Sequence, residues 1–427
     1  MRPSHRSALP RNRDFSLLLG GRLVSAVGDQ AQSMALPLLV LTLTGSAARA
    51  GIVLGLGTTA FLVSGPVAGA LADRWERRAA MIWCDVGRAA LTGGVAVAGL
   101  LHRLAMPQLY ATAVAAGVLS TLFEAAGTAA LPQVVGPRQL PAALGLQQSA
   151  AGAAGVFGAP LAGVLYSAGR AVPFAVNAAS FAVSALSLSL VRTRFQQERP
   201  ATPARLADEV RQGLGWLRRQ PVVRFLALVS AADKVRYGAG YLLIITLARR
   251  LGASPFQVGA VFGGAALGAM AGALASGRIA RRFPLGRIAV ATLWLEALMF
   301  PLYALAPDPP ALAAVAAAES LLVPVYTVAM TTHQLAVTPD ELRGRATAAV
   351  SALTTGALSM GTLAGGALIT ALGPTTLVWV CGAWLLALAL ATTANRAVRQ
   401  APPAGALPHQ RPAAGEGEAV EPAEEVK

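Results

Sequence analysis

Long apolar stretches, separated by short polar ones, dominate the chain. Segments 35–72, 107–135 and 346–394 each contain at most one ionisable residue. A helix needs about 20 apolar residues to cross a hydrocarbon core of about 30 Å, and only helices or closed barrels satisfy the backbone hydrogen bonds there. The runs lack the alternation of apolar and polar residues that barrel strands show. The pattern therefore predicts an all-α integral membrane protein.

Twelve apolar segments have the length of a membrane-spanning helix. They form an N-terminal six-helix half over 15–191 and a C-terminal six-helix half over 222–396, joined by a polar linker over 192–221. The flanks are a short cytoplasmic N-terminal segment, 1–14, and a cytoplasmic tail, 397–427, whose Pro, Ala, Gly and Glu content predicts disorder. The predicted spans are 15–44, 48–71, 79–101, 107–130, 143–167, 170–191, 222–247, 255–277, 286–306, 310–332, 345–372 and 375–395.

The two halves repeat each other in sequence. LVSAVGD at 23–29 returns as LVSAAD at 228–233, and GALAD at 69–73 returns as GALAS at 272–276. Two further short matches follow in the same order, and all lie at offsets of 202 to 205 residues. Ordered matches at a nearly constant offset indicate two parallel six-helix repeats, with a binding site between them near the middle of the bilayer.

One segment of the linker is amphipathic. Leu206, Val210, Leu214 and Leu217 recur at helical spacing in a stretch rich in arginine. We predict a helix that lies on the cytoplasmic face of the membrane.

The formal net charge of +15 is unevenly distributed. When loops are assigned alternately to the two faces, 26 of the 35 Lys and Arg residues fall on the side of the termini and five on the other. This bias predicts that both termini and the linker lie in the cytoplasm. With 13% charged residues overall, the chain has no soluble basic domain that would bind nucleic acid.

The loop after the second predicted helix carries a recognisable motif. GALADRWERR at 69–78 matches G-x-L-x-D-R-x-x-R-R at every fixed position, which are Gly69, Leu71, Asp73, Arg74, Arg77 and Arg78. The chain thereby resembles the major facilitator superfamily. Further stretches resemble its macrolide-efflux and enterobactin-exporter branch of drug:proton antiporters. They are GRLVSAVGDQ and ALPLLV within 21–40, LPQVV and LPAALGLQQ within 131–148, VNAASFAVSAL at 176–186 and TPDELRGRA at 338–346.

The resemblance implies a transport mechanism by alternating access. The cavity would be lined by the first, fourth, seventh and tenth membrane helices. The motif would act in gating, with Asp73 at the start of the eleventh helix, where free N–H groups favour an anion. The resemblance departs at AGVFGAPLAG (154–163), where Gly-Ala-Pro replaces the Gly-Pro of the exporter motif.

Charged residues inside the predicted spans are candidates for proton coupling, because an unpaired charge at the bilayer centre costs at least about 2.5–3.5 kcal/mol. Asp29 and Asp233 are related by the repeat, and Glu124 lies in mid-helix without a local partner. The full set predicted to line the cavity or couple protons is Asp29, Glu124, Asp233, Arg22, Lys234 and Arg236.

A purely structural role is the alternative for each of these residues. Arg22 lies two turns from Asp29, so it would either hold that carboxylate or neutralise an anionic group of a substrate. Asp85 and Arg88, at i and i+3, are predicted to form a structural ion pair. Two further acids, Glu296 and Glu319, are weaker candidates because we expect them nearer to helix ends.

Several function classes lack their sequence signals. The only lysines are Lys234 and Lys427, so the chain has no GxxxxGK[ST] motif for ATP, and it has no HExxH motif for a metal. We therefore predict a monomeric transporter in the cell membrane, not an enzyme, without metal or other cofactor and energised by the proton gradient. Its predicted function is proton-coupled export of amphipathic small molecules such as antibiotics, siderophores or metabolites. An importer of the same fold and a non-transporting membrane sensor are the alternatives.

Overall fold

The structure, a computed structural model, describes residues 12–136, 139–193, 195, 206–339 and 342–400. All regular secondary structure in these ranges is helical. The helices are α1 (Arg13–Thr44), α2 (Ala47–Arg74), α3 (Arg77–Leu100), α4 (Met106–Val134), α5 (Leu140–Ala168), α6 (Val172–Ser189), α7 (Leu206–Arg219), α8 (Pro221–Arg250), α9 (Pro255–Arg282), α10 (Leu285–Met299), α11 (Leu302–Leu305), α12 (Pro309–Val337), α13 (Arg343–Leu372), α14 (Pro374–Ala394) and α15 (Arg396–Arg399).

Twelve long helical units correspond to the twelve predicted spans. In the described ranges, ten of them are long enough and apolar enough to cross a membrane. This count treats α10 and α11 as one unit. The other two, α1 and α8, are equally long but carry the mid-helix charges of the two repeats. The prediction of an all-α membrane protein with twelve spans is confirmed.

The same helix pairs form in both halves. In the first half α2 packs on α4, α1 on α5, and α3 on α6. In the second half the equivalent pairs are α9 with α12, α8 with α13, and α10 with α14. Between the halves, α2 meets α13 and α5 meets α9. This repeated pattern confirms the two parallel six-helix repeats.

Two local features differ from the sequence expectation. The predicted span 286–306 is broken between α10 and α11 at Pro301, since proline has no N–H to continue the helical ladder. Helical structure also extends beyond residue 396, into the segment predicted to be a disordered tail. α15 packs its buried Val398 against α10, so closely that a Cβ on Gly286 would lie 2.1 Å from the Val398 carbonyl oxygen. The predicted segments at 1–11 and 401–427 lie outside the described residues.

The linker helix α7 packs against protein. Trp216 and Leu217 are buried in the core of the second half. A Cβ on Gly213 would lie 2.4 Å from the Arg345 carbonyl oxygen at the start of α13. The expectation of a helix resting on the membrane face is therefore corrected for this part of its surface. The side chains of residues 206–211 lie outside the described set.

The buried core differs between the two ends of the bundle. We call the end where α1 begins and α14 ends the proximal side, and the opposite end the distal side. On the distal side, one apolar cluster joins both halves and includes Leu38 and Ile245. On the proximal side each half has its own cluster, around Phe15 in the first and Leu226 in the second. The halves are thus fused distally and separate proximally.

Candidate functional site

Two glycine-lined seams close the distal side. Where α5 meets α9, a Cβ on Gly259 would lie 2.7 Å from the carbonyl oxygen of Ala159. Where α2 meets α13, a Cβ on Gly51 would lie 2.9 Å from the Cα of Gly366. Residues without side chains allow this close approach of helix backbones.

The same helices diverge on the proximal side. Gly65 and Gly69 on α2, and Gly145 and Gly152 on α5, have no packing neighbour within 4 Å of the position of a Cβ. A cavity between the halves therefore opens toward the proximal side.

A pocket of about 260 Å³ lies between the two halves in this central cavity. Its walls come from α1, α5, α8, α9, α12 and the segment around the break between α10 and α11. Three of the four helices that the resemblance implies take part here, the first, seventh and tenth, as α1, α8 and α12. The fourth, α4, lines a neighbouring polar pocket together with α1 and α5. The aromatic lining residues are Tyr237, Tyr241, Phe262, Phe300 and Tyr303.

Arg88 of α3 organises the charged residues of the first half. It is ion-paired with Asp85, whose side chain is fully buried, and its Nη1 lies 3.7 Å from Oδ2 of Asp29 on α1. The guanidinium carbon lies 4.5 Å from the ring centre of Phe123 and 4.3 Å from that of Phe181. The predicted Asp85–Arg88 contact is present, and Asp29 extends it toward the cavity.

Arg22 takes a different partner from the one that sequence spacing suggested. It pairs with Glu124 of α4, whereas Asp29 lies beside Arg88 and accepts a 3.4 Å hydrogen bond from Asn177. Within the described helix α4, Glu124 has no ion-pair partner, as expected, and it finds one across helices in Arg22. The side chain of Glu124 is 52% exposed to a polar pocket of about 270 Å³ between α1, α4 and α5.

Arg236 of α8 is the centre of the charged residues in the second half. Its Nε donates to Asp233 at 2.7 Å and its Nη1 donates to Glu319 of α12 at 2.8 Å. Glu319 also accepts a 2.8 Å hydrogen bond from the hydroxyl of Tyr303. Glu296 of α10 lies 3.9 Å from Nη2 of Arg236. The structure thus brings together acids from three helices.

Lys234 lies beside this group. Its Nζ is 4.6 Å from the ring centre of Tyr237, and it lines a second pocket together with Asp233 and Glu296.

The motif after α2 lies on the proximal surface. Arg77 donates to the carbonyl oxygens of Ala129 and Phe195 at 3.1 and 3.2 Å, and Arg78 donates to the end of α6. Asp73 pairs with Arg77 at 3.5 Å and its side chain is 67% exposed. The implied contact between Asp73 and the start of α13 is therefore not formed in this conformation, because α2 and α13 have diverged here.

Some components of these clusters were not singled out from the sequence. They are the two rings around Arg88, the amide of Asn177 and the hydroxyl of Tyr303. A lone Asn in the apolar helix α6 is a recognisable signal, since a buried amide needs partners. The convergence of Glu296 and Glu319 on Arg236 is a tertiary contact that spacing does not reveal.

Comparison with known sequences supports a membrane transport family. The sequence profile of the Major Facilitator Superfamily matches residues 18–233 and 234–419. The multidrug efflux pump Tap of Mycolicibacterium fortuitum is 27% identical over 374 residues, which cover 84% of this chain and 89% of that protein. The uncharacterised MFS-type transporter YfiS of Bacillus subtilis is 27% identical over 211 residues, and the match spans about half of that protein, 49% of its length.

Solved structures share the fold. The nucleoside transporter NupG superposes with a TM-score of 0.72 at 12% sequence identity, covering 89% of this chain and 98% of that one. A bacterial homologue of the iron transporter ferroportin, in an inward-facing state, gives 0.70 at 17% identity, covering 91% and 99%. With a family profile that spans both six-helix halves, this chain is a multi-pass membrane transporter that belongs to the Major Facilitator Superfamily.

Proposed function

We propose that this transporter is a proton-coupled exporter of amphipathic small molecules. The observation that carries the proposal is an excess of acid inside each half, where three carboxyls accompany two cationic side chains. The first set is Asp29, Asp85, Glu124, Arg22 and Arg88; the second is Asp233, Glu296, Glu319, Lys234 and Arg236.

An excess carboxylate within a membrane protein favours proton binding. An unbalanced charge at the bilayer centre is costly, and a proton removes it. A transporter that gains such a proton facing one side and loses it facing the other couples transport to the proton gradient. The proton-motive force supplies about 2.3 kcal/mol per charge per 100 mV of potential. Asp29, Glu124 and Asp233 are the acids that the sequence favours for this role.

Export of amphipathic molecules is supported by the relatives and by the cavity. Tap proteins of two mycobacterial genera carry the name multidrug efflux pump. The central cavity offers aromatic walls with a few polar groups, the kind of surface that binds amphipathic ligands. Antibiotics, siderophores and endogenous metabolites are the substrate classes we propose.

The same proposal assigns the two sides of the membrane. The proximal side is cytoplasmic, so the conformation described is open to the cytoplasm. Closure on that side brings Asp73, with Gly69, Arg74, Arg77 and Arg78, to the start of α13 as a gate. The protein works as a monomer in the bilayer and takes its energy from protons.

The test is transport by the purified protein in liposomes with an imposed pH gradient. A panel of fluorescent dyes, macrolide antibiotics and siderophores is loaded at equal concentration on both sides. We expect at least one compound to move against its own gradient, in the direction opposite to the protons, and a protonophore to abolish this movement. Asp308→Asn, which neutralises an exposed acid that caps α12, is the matched control and should transport normally.

Two outcomes would overturn the proposal. Movement of compound in the same direction as the protons would make the protein an importer. Downhill movement alone, unaffected by the gradient, would remove proton coupling.

A further inference from the structure

The three carboxyls around Arg236 are not equivalent. Asp233 and Glu319 each accept a hydrogen bond from the guanidinium, and Glu319 has a second donor in Tyr303. Glu296 approaches only to 3.9 Å, beyond hydrogen-bond distance. The nearest guanidinium nitrogen, Nη2, has no hydrogen-bond partner in the described part of the chain. Glu296 is therefore the carboxyl whose charge the arginine satisfies least.

A separate pocket leads to Glu296. It has a volume of about 220 Å³ and lies between α8, α10, α12 and α13. Eight of its sixteen lining residues carry a hydroxyl group and lie among apolar side chains: Ser230, Thr292, Tyr326, Thr327, Thr331, Thr347, Ser351 and Thr354. Thr331, Thr347 and Ser351 are exposed on the proximal side, whereas Glu296 is 5% exposed at the inner end.

The volume of this pocket and the polar atoms around it suit it to hold water molecules. It is many times larger than the roughly 10–15 Å³ of accessible volume that one water needs. The side-chain nitrogen of Gln334 in its wall is buried, as is Nη2 of Arg236 nearby, and neither has a partner among the described residues. Buried polar atoms without protein partners are commonly satisfied by ordered water.

The charged groups around Glu296, counted with Glu296 itself, carry one more negative than positive charge. From α8 come Asp233, Lys234 and Arg236, and from α12 comes Glu319. Counted with Glu296, these are three acids and two bases, so a single proton makes the group neutral.

The other elements packed on α10 add no charge near Glu296. α12 also brings the phenol of Tyr326 into the pocket. The one titratable side chain of α14 is the buried Cys381. α11 contributes Tyr303, which is bonded to Glu319, and the arginines of α15 lie at the proximal end of α10.

Arg236 stands between this pocket and the central cavity. Arg236 and Glu319 line the central cavity, whereas Asp233 and Glu296 line the side pocket. A change in the charge of Glu296 can therefore affect the central cavity by moving the Arg236 guanidinium.

We propose that the pocket between α8, α10, α12 and α13 is a hydrated proton-access site and that Glu296 is its proton-binding carboxyl. When Glu296 releases its proton, the carboxylate attracts Nη2 of Arg236 and draws the guanidinium toward α10, away from Glu319. When Glu296 is protonated, Arg236 remains with Glu319 at the cavity wall. The role in transport rests on the proposed exporter function, but proton binding at Glu296 does not.

The first experiment measures protonation without a substrate. Infrared difference spectra of the purified protein are recorded across a pH titration, following the C=O stretch of protonated carboxyls. We expect wild type to show a titrating band that Glu296→Gln lacks and that Asp308→Asn, at the exposed cap of α12, retains. Persistence of the band in Glu296→Gln, or its loss in Asp308→Asn, overturns the assignment.

A second variant covers the case in which Glu296→Gln does not fold. Glu296→Asp keeps the carboxyl group but shortens the side chain by one methylene, so the band should persist with a displaced midpoint. An unchanged midpoint argues against Glu296.

In liposomes, Glu296→Gln should lose gradient-driven uphill transport while retaining downhill exchange of the same compound. If wild type itself fails to pump but shows the band, the exporter proposal fails and the proton site stands.

Discussion

At the scale of single residues, Arg88 illustrates how a charge is held within the membrane. Its planar guanidinium lies between the rings of Phe123 and Phe181 and is paired at its edge with Asp85. A delocalised cation stacks on aromatic faces and binds a carboxylate at the same time, which the compact ammonium of lysine does poorly. Arg88 is thus a fixed element around which the more exposed Asp29 is placed.

Removing Arg88 should destabilise the first half. We expect Arg88→Ala to cost about 3–5 kcal/mol, because it strands the buried carboxylate of Asp85. The double variant Arg88→Ala with Asp85→Ala should recover much of that loss. Thermal unfolding in detergent measures both, with Arg103→Ala, an exposed arginine, as the control. Wild-type stability in Arg88→Ala alone would show that the ion pair is not needed.

The residues of the candidate site differ in how far the sequence predicts them. Asp85 and Arg88 were paired correctly because three residues along a helix place both on one face. For Arg22 the spacing offers Asp29 as a partner or leaves it for an anionic group of a substrate, yet it pairs with Glu124, 102 residues away. Spacing identifies local partners, but only the tertiary arrangement of the helices decides between a local and a distant one.

At the scale of helices, the seams between the halves decide which side is open. The α5–α9 seam is tight at the distal end of α5, where a Cβ on Gly163 would lie 2.5 Å from the carbonyl oxygen of Pro255. Toward the proximal end of the same helix, Gly152 meets nothing within 4 Å. The same helix therefore has one glycine, Gly163, where an added methyl group would clash, and one, Gly152, where it would not.

A methyl group at the tight position should shift the conformation. Gly163→Ala forces the two backbones apart, at a cost typical of overpacking, about 1–3 kcal/mol. Opening of the distal seam and closure of the proximal side should follow, seen as a shorter spin-label distance between the proximal ends of α2 and α13. Gly152→Ala gives the same gain in helix propensity, up to about 1 kcal/mol, without the clash. Equal spin-label distances in Gly163→Ala and Gly152→Ala would show that close packing at the α5–α9 seam does not hold the distal side closed.

The helices themselves were largely predictable, because the thickness of the bilayer fixes the length of an apolar span. The break at Pro301 had only a partial signal in the sequence. Proline removes one helical hydrogen bond, yet Pro37 and Pro324 lie inside continuous helices. The short helix α15 had no such signal. It forms because Val398 packs on the glycine surface of α10, a contact that exists only in the folded protein.

At the scale of the whole molecule, the unequal distribution of arginine predicts an orientation. By the positive-inside rule we expect the proximal side to lie in the cytoplasm. The two native cysteines, Cys84 and Cys381, are 1% and 6% exposed and so contribute little background to thiol labelling.

Labelling of single introduced cysteines checks this orientation. In intact cells, a membrane-impermeant thiol reagent should react with Arg103→Cys on the distal side. It should not react with Arg218→Cys on α7 until the membrane is permeabilised. The reverse pattern of labelling would place the proximal side outside the cell.

The apolar cluster that joins the halves distally also has a thermal consequence. Opening that side exposes buried hydrocarbon, so the step should raise the heat capacity of the protein. Hydrophobic association weakens on cooling. Temperature alone should therefore alter the balance between the two conformations, with cold favouring separation of the distal ends even when neither substrate nor a proton gradient is present.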